Sequence, residues 1–281
     1  MPHPAFDRTA LAYWETRSRR WLVSTPISPL PDDVRFHEAR AARAAQGHPR
    51  FTAMLLGVTP AIATMRWPAQ THLVALDWCD GMFRNVFPRE GLPPRCERVR
   101  GDWREMPVAT ATLDLVVGDG FYSTFPDLAG PAQVNREIAR VLRAGGALVM
   151  RCHRRLDRAP HVADLFSRLF AGEIRDLDIF RFVLAMAVHG DSREGVRLDD
   201  VWRAWREHVP DSREAQSRYG WADSPLANIE GWKDVASRYF FPDLAQIREL
   251  ATPAFDIEEC EIPAYEWGEH FPRFTLRRSA A

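Results

Sequence analysis

Three positions carry most of the chemistry this sequence can do, and each closes a run that reads as a strand. Gly57 ends the run that starts at Phe51, Asp77 ends the next, and Asp102 follows the third in Gly101-Asp102-Trp103. An acidic residue 20 positions after such a glycine is placed to accept hydrogen bonds from a ribose diol, while the glycine lets backbone approach the ligand. A carboxylate at position 102 can accept from an exocyclic amine, and Trp103 offers a face for a base. Thr59 and Trp78 flank these positions, and Asp119 lies just past a fourth run. We take Gly57, Thr59, Asp77, Trp78, Asp102, Trp103 and Asp119 as candidate ligand contacts. His153, just past a fifth run, is the candidate catalytic residue, because an imidazole with an ordinary pKa of about 6.5 suits a base at neutral pH. Tyr122, His189 and Trp202 are candidates for a substrate pocket.

These residues need a scaffold that brings strand ends together. From Phe51 onward, short apolar runs alternate with helical stretches, which is the pattern of β-α-β units and a parallel sheet. Strands are expected at 51–58, 72–77, 95–100, 113–117 and 147–152. Thr59 supplies a candidate N-cap oxygen ahead of Pro60, Asp80 another ahead of Met82 and Phe83, and Pro131 opens a helix with Val134, Ile138, Val141 and Leu142 on one face. Before this, 1–49 reads as a helical N-terminal arm or cap, in which Asp32 and Asp33 can cap a helix. After the core at 50–153, residues 154–239 keep a helical pattern without a strand and read as an inserted cap. Residues 240–281 return to α/β character, with a helix at 242–250 and strands at 255–262 and 273–277. No crossover helix separates that last pair, so antiparallel pairing at a sheet edge is expected.

Composition narrows the classes of function. The 281 residues carry 37 Lys plus Arg against 38 Asp plus Glu, a net charge of -1. That leaves no global field for nucleic acid or anionic membrane, and neither is an expected partner. Lys233 is the single lysine. Cys79, Cys96, Cys152 and Cys260 are widely spaced, without a C-x-x-C pair or a His-x-x-x-His pair beside them, so no metal site is expected. No secretory pattern opens the chain and the longest apolar run, 182–188, is far short of a membrane span, so a reducing cytoplasm is the expected compartment.

Read in order, five pieces resemble the class I S-adenosylmethionine-dependent methyltransferases: Leu55-Leu56-Gly57-Val58-Thr59, Val74-Ala75-Leu76-Asp77, Gly101-Asp102-Trp103 with Met106-Pro107, Asp114-Leu115-Val116-Val117, and Arg140 to Leu148. The resemblance covers 50–155 well and 240–278 weakly. It implies a Rossmann-like, mostly parallel α/β sheet with helices on both faces, an antiparallel last strand and a helical insertion after the fifth strand. It implies S-adenosylmethionine as cofactor and methyl transfer to O or N of a small molecule. The first motif departs from the family pattern: Leu55 stands for an acidic residue and Thr59 for a second glycine. A non-catalytic domain that binds an S-adenosyl ligand or serves in an assembly is therefore one alternative. An NAD-dependent oxidoreductase is another, although Thr59 and Ile62 deny it the fuller glycine motif.

Overall fold

The computed structural model describes residues 8–21, 23–190 and 193–279. Five strands of the main sheet come before the insertion: β1 (Phe51–Leu56), β2 (Thr71–Asp77), β3 (Arg95–Arg100), β4 (Leu113–Asp119) and β5 (Leu142–Arg151). After it come β8 (Phe255–Glu261) and β9 (Arg273–Arg278). The order is β3-β2-β1-β4-β5-β9-β8, parallel except for β9, which runs antiparallel to both β5 and β8. β1, β2 and β4 are buried almost throughout because helices cover both faces, whereas the Arg- and Glu-bearing edge strand β3 is largely exposed.

Alternation along the strands sorts side chains between two cores. Met54, Leu56, Leu76, Val116 and Leu148 face α5 (Ala129–Val141) and α11 (Leu244–Ala251). Leu55, Ala75, Leu115, Val117 and Val149 face the other way, onto a core shared with Phe36 and Ala41 of α2 (Pro31–Ala44). The N-terminal segment is thus not wholly an arm: α2 packs on β4 and β5 as part of a helical layer. That helix starts at Pro31, so Asp33 lies inside its first turn, where its carboxylate accepts from the Leu30 N–H at 2.9 Å. The preceding helix α1 (Arg8–Ser18) lies against α4 (Asp80–Asn85). Cys79, not Asp80, occupies the cap position of α4.

The insertion has its own apolar centre. Helices α6 (Val162–Phe170), α7 (Leu177–His189), α8 (Leu198–His208), α9 (Ser212–Tyr219) and α10 (Asp223–Glu230) gather Phe166, Phe180, Trp205 and Trp232 inside. Helix α7 is apolar on nearly every side, as a helix buried among others must be. The insertion is not purely helical. β6 (Val196–Arg197) and β7 (Arg238–Tyr239) pair antiparallel and tie its middle to its C-terminal end. Strands of two residues have no periodicity for a sequence to show.

Candidate functional site

The carboxyl ends of β1 to β4 open onto a cavity of about 240 Å³. Gly57, Thr59, Asp77, Trp78, Asp102, Trp103 and Asp119 all line it. A parallel sheet places its strand ends there because every crossover returns to start the next strand at the opposite edge.

Gly57 turns the chain out of β1 with φ +85°, its N–H donating to the Leu76 carbonyl at 2.8 Å. A Cβ at this position would stand 3.5 Å from the Trp103 ring and 3.8 Å from Asp77 Oδ2. Space is tolerable; the left-handed backbone is not, at about 1–2 kcal/mol for an L side chain. Gly57→Ala is expected to lower stability by about that amount and to weaken adenosyl-ligand binding by shifting the turn away from its left-handed backbone. Equal melting temperatures and equal titrations for both proteins would overturn this.

Asp77 is 5% exposed and makes no ion pair among the described residues; its Oδ1 accepts from the Cys79 N–H at 2.8 Å. Burial pushes its pKa up to about 7, against the backbone N–H groups of Cys79 and Trp78, which pull it down. A buried carboxylate without a cation is primed for neutral donors such as a diol. Trp103 is fixed by a 2.7 Å hydrogen bond from Nε1 to the Leu76 carbonyl and stands edge-on to Phe121 and Phe125.

The other two carboxylates are already engaged. Asp102 takes the Arg104 guanidinium, with Nη2 to Oδ2 at 2.6 Å, and the Arg104 N–H at 2.8 Å. Asp119, the last residue of β4, takes Arg151 Nε at 2.6 Å and Nη2 at 3.1 Å. Thr59 heads α3 (Pro60–Ala63), but its hydroxyl makes no capping bond, which corrects the expected cap.

The catalytic and substrate-pocket candidates fall elsewhere. None of His153, Tyr122, His189 and Trp202 is on the cavity wall. His153 is buried, edge-on to Phe182 at 4.9 Å and to Phe271 at 5.6 Å. Its Nδ1 lies 3.2 Å from Ser123 Oγ, whose proton goes to the Gly120 carbonyl, so Nδ1 is the protonated nitrogen and Nε2 has no partner among the described residues. Burial pushes its pKa well below the usual histidine value, and the ring fills space under the turn after β4, where a Cβ on Gly120 would meet it at 2.1 Å. This placement corrects the expectation of a base facing the ligand. Tyr122 donates to Asn135 Oδ1 at 2.8 Å in the sheet core. His189 ends α7 against Phe240 and Phe241 inside the insertion, and Trp202 donates to Glu230 with Lys233 over its ring.

What the sequence did not show is the roof. Tyr13 and Trp14 of α1, Trp21 after it, Phe125, Arg238 and Tyr239 complete the cavity. α1 is held on both sides. Glu15 accepts from the Gly81 N–H at 2.9 Å and pairs with Arg84, while the Tyr13 hydroxyl meets that of Tyr239 at 3.0 Å and accepts from Trp232 Nε1. The adjacent aromatics at 13 and 14 were the available signal, but nothing in their spacing says which strand ends they cover.

Comparison with known proteins agrees with this geometry. Residues 56–150 match the family described as methyltransferase domain. No protein of curated function matches the sequence. Among solved structures, a Rhodobacter sphaeroides protein provisionally described as a Zn-dependent alcohol dehydrogenase superposes with a TM-score of 0.60 at 12% identity, over 98% of this chain and 100% of that one. The N-methyltransferase NodS from Bradyrhizobium japonicum, in complex with S-adenosyl-L-homocysteine, gives 0.52 at 11% identity over 98% and 100%. DhpI, also in complex with S-adenosylhomocysteine, gives 0.51 at 14% over 98% and 97%. At these identities the superpositions speak for the fold. With the sheet order, the strand-end cavity and the matched residues taken together, residues 56–150 carry a methyltransferase domain on a fold shared with these neighbours.

Proposed function

We propose that this protein binds S-adenosylmethionine at the Gly57–Asp77 edge and methylates a small molecule at oxygen or nitrogen. The observation that carries the reading is Asp77: a buried carboxylate with no ion pair among the described residues, facing a left-handed glycine at the strand ends. Two structural neighbours bound to S-adenosylhomocysteine support it. S-adenosylmethionine supplies a methyl group activated on a sulfonium. The chain's residues position the partners. Asp77 accepts from the ribose diol, Gly57 lets backbone approach, and Trp103 offers its ring to the base. Asp119 acts as a neutralised wall rather than a free charge, because Arg151 holds it.

Methyl transfer needs an in-line approach in a site that excludes water, so positioning supplies most of the rate. α1 and the insertion, which meet at Tyr13 and Tyr239 over the cavity, are the elements that select and enclose the substrate. Thermal-shift titration tests the cofactor: S-adenosylhomocysteine is expected to raise the melting temperature in step with ln(1 + [L]/Kd), and NADH to leave it unchanged. Stabilisation by NADH and not by S-adenosylhomocysteine would replace this proposal with the oxidoreductase alternative.

A further inference from the structure

The nature of the cavity roof narrows the substrate, on the condition that methyl transfer is the reaction. Trp14 and Tyr239 stack with centroids 6.4 Å apart at 22°, Tyr13 stands edge-on to Tyr239, and Trp21 tilts against Trp14 at 6.3 Å. Ring faces carry partial negative charge and attract cations. Trp21 already takes one, with the Arg17 guanidinium carbon 5.6 Å from its centroid.

The charged groups on the wall are otherwise committed. Asp102 is held by Arg104, Asp119 by Arg151, and Arg238 by the Gly195 carbonyl and Glu194. Among the described residues lining the cavity there is no His, Lys, Cys or Glu. The Tyr239 hydroxyl is bonded to Tyr13 and, being buried, is pushed well above the ordinary tyrosine value, so it keeps its proton at neutral pH. Asp77 remains, and it lies on the cofactor side. An alcohol or phenol that must lose a proton before attack therefore finds no base on the roof side. A carboxylate needs none, but would meet ring faces that repel an anion.

We propose that the substrate is a small amine, which gives up its ammonium proton to water before it is enclosed, attacks as the uncharged base and becomes an ammonium ion among Trp14, Trp21 and Tyr239. The nitrogen lone pair forms the bond to the methyl carbon, the carbon–sulfur bond breaks with its pair going to sulfur, and the positive charge passes from sulfur to nitrogen. A secondary or primary amine then releases its proton to water. No protein base takes part, and the aromatic faces stabilise the cation where it arrives.

Calorimetry on the complex with S-adenosylhomocysteine tests this with choline and its uncharged isostere 3,3-dimethyl-1-butanol as probes. Choline is expected to bind about tenfold more tightly, as a desolvated cation on several ring faces should. Trp14→Leu should bring the two probes level and Trp14→Phe should restore most of the difference, with the melting-temperature rise on S-adenosylhomocysteine confirming that each variant is folded. Equal binding of the two probes by the unmodified protein would overturn the proposal while leaving methyl transfer standing. Failure of S-adenosylhomocysteine to bind would remove both.

Discussion

Asp77→Asn is expected to make the ligand-free protein more stable at pH 8 and worse at binding S-adenosylhomocysteine. The two effects have one cause. Burial, with no cation beside it among the described residues, pushes the Asp77 carboxyl from 3.8 to about 7. A folded-state pKa above the unfolded one means that the folded protein holds more protons between about pH 4 and 7. Stability contributed at this position is therefore present below about pH 4 and is lost as pH rises to about 7. At about 1.4 kcal/mol per pH unit, ionised Asp77 costs the fold up to about 4 kcal/mol. Asparagine keeps the acceptor for the Cys79 N–H and carries no charge, so the contribution of this position to stability should not change with pH over that range. Binding should move the other way. A diol donates to a carboxylate more strongly than to an amide, and loss of a charge-assisted hydrogen bond costs about 1.5–3 kcal/mol, a weakening of about 10- to 150-fold. Urea unfolding at pH 4 and 8, with ligand titration at pH 8, reads both. A variant less stable than the parent at pH 8, or one that binds as tightly, would refute the role given to Asp77.

How far the sequence shows this site depends on what positions each residue. Strand ends are legible because buried parallel strands are built on short apolar runs, and 53–56, 73–76 and 115–117 are such runs. A residue at the end of one faces the ligand edge by topology alone. This is why the seven residues taken from strand ends share one cavity. Direction beyond the strand end is not encoded so locally. His153 is two residues past β5, yet its ring turns beneath Gly120 because Phe182 and Phe271 make a slot there. The Thr59 hydroxyl fails as a cap for a similar reason, since residue type permits that bond but does not compel it. The roof belongs to tertiary docking: α1 reaches the cavity through Glu15 on one side and Tyr13 on the other, contacts separated by more than 60 residues in sequence. Least visible is Arg151. In a chain with 37 basic side chains, nothing marks one arginine as interior.

Arg151 is a residue whose loss should cost this fold several kcal/mol, on the order of a broken buried ion pair. It is fully buried and uses its guanidinium on Asp119 of β4, on Asp33 of α2, and on the carbonyls of Pro26 and Ile27 at 2.7 and 2.5 Å. It thereby joins the segment that leads into α2 to the strand end that carries the cavity wall. Asp33 has other help, from the Tyr265 hydroxyl, Arg273 and the Leu30 N–H. Asp119 makes no second ion pair among the described residues. Arg151→Met keeps the length and apolar stem but leaves a buried carboxylate without its cation and two carbonyls without donors. Removing one partner of a buried pair costs about 3–5 kcal/mol, whereas removing both partners costs much less. Arg151→Met is therefore expected to shift urea unfolding by about 3–5 kcal/mol, and adding Asp119→Asn should recover part of that, because the orphaned charge goes with it. The recovery distinguishes charge from packing: a double variant as unstable as Arg151→Met would mean that the guanidinium matters through the Pro26 and Ile27 carbonyls. A loss below about 1 kcal/mol, the scale of an exposed ion pair, would mean that water reaches this network and that it does not hold the N-terminal segment to the cavity wall.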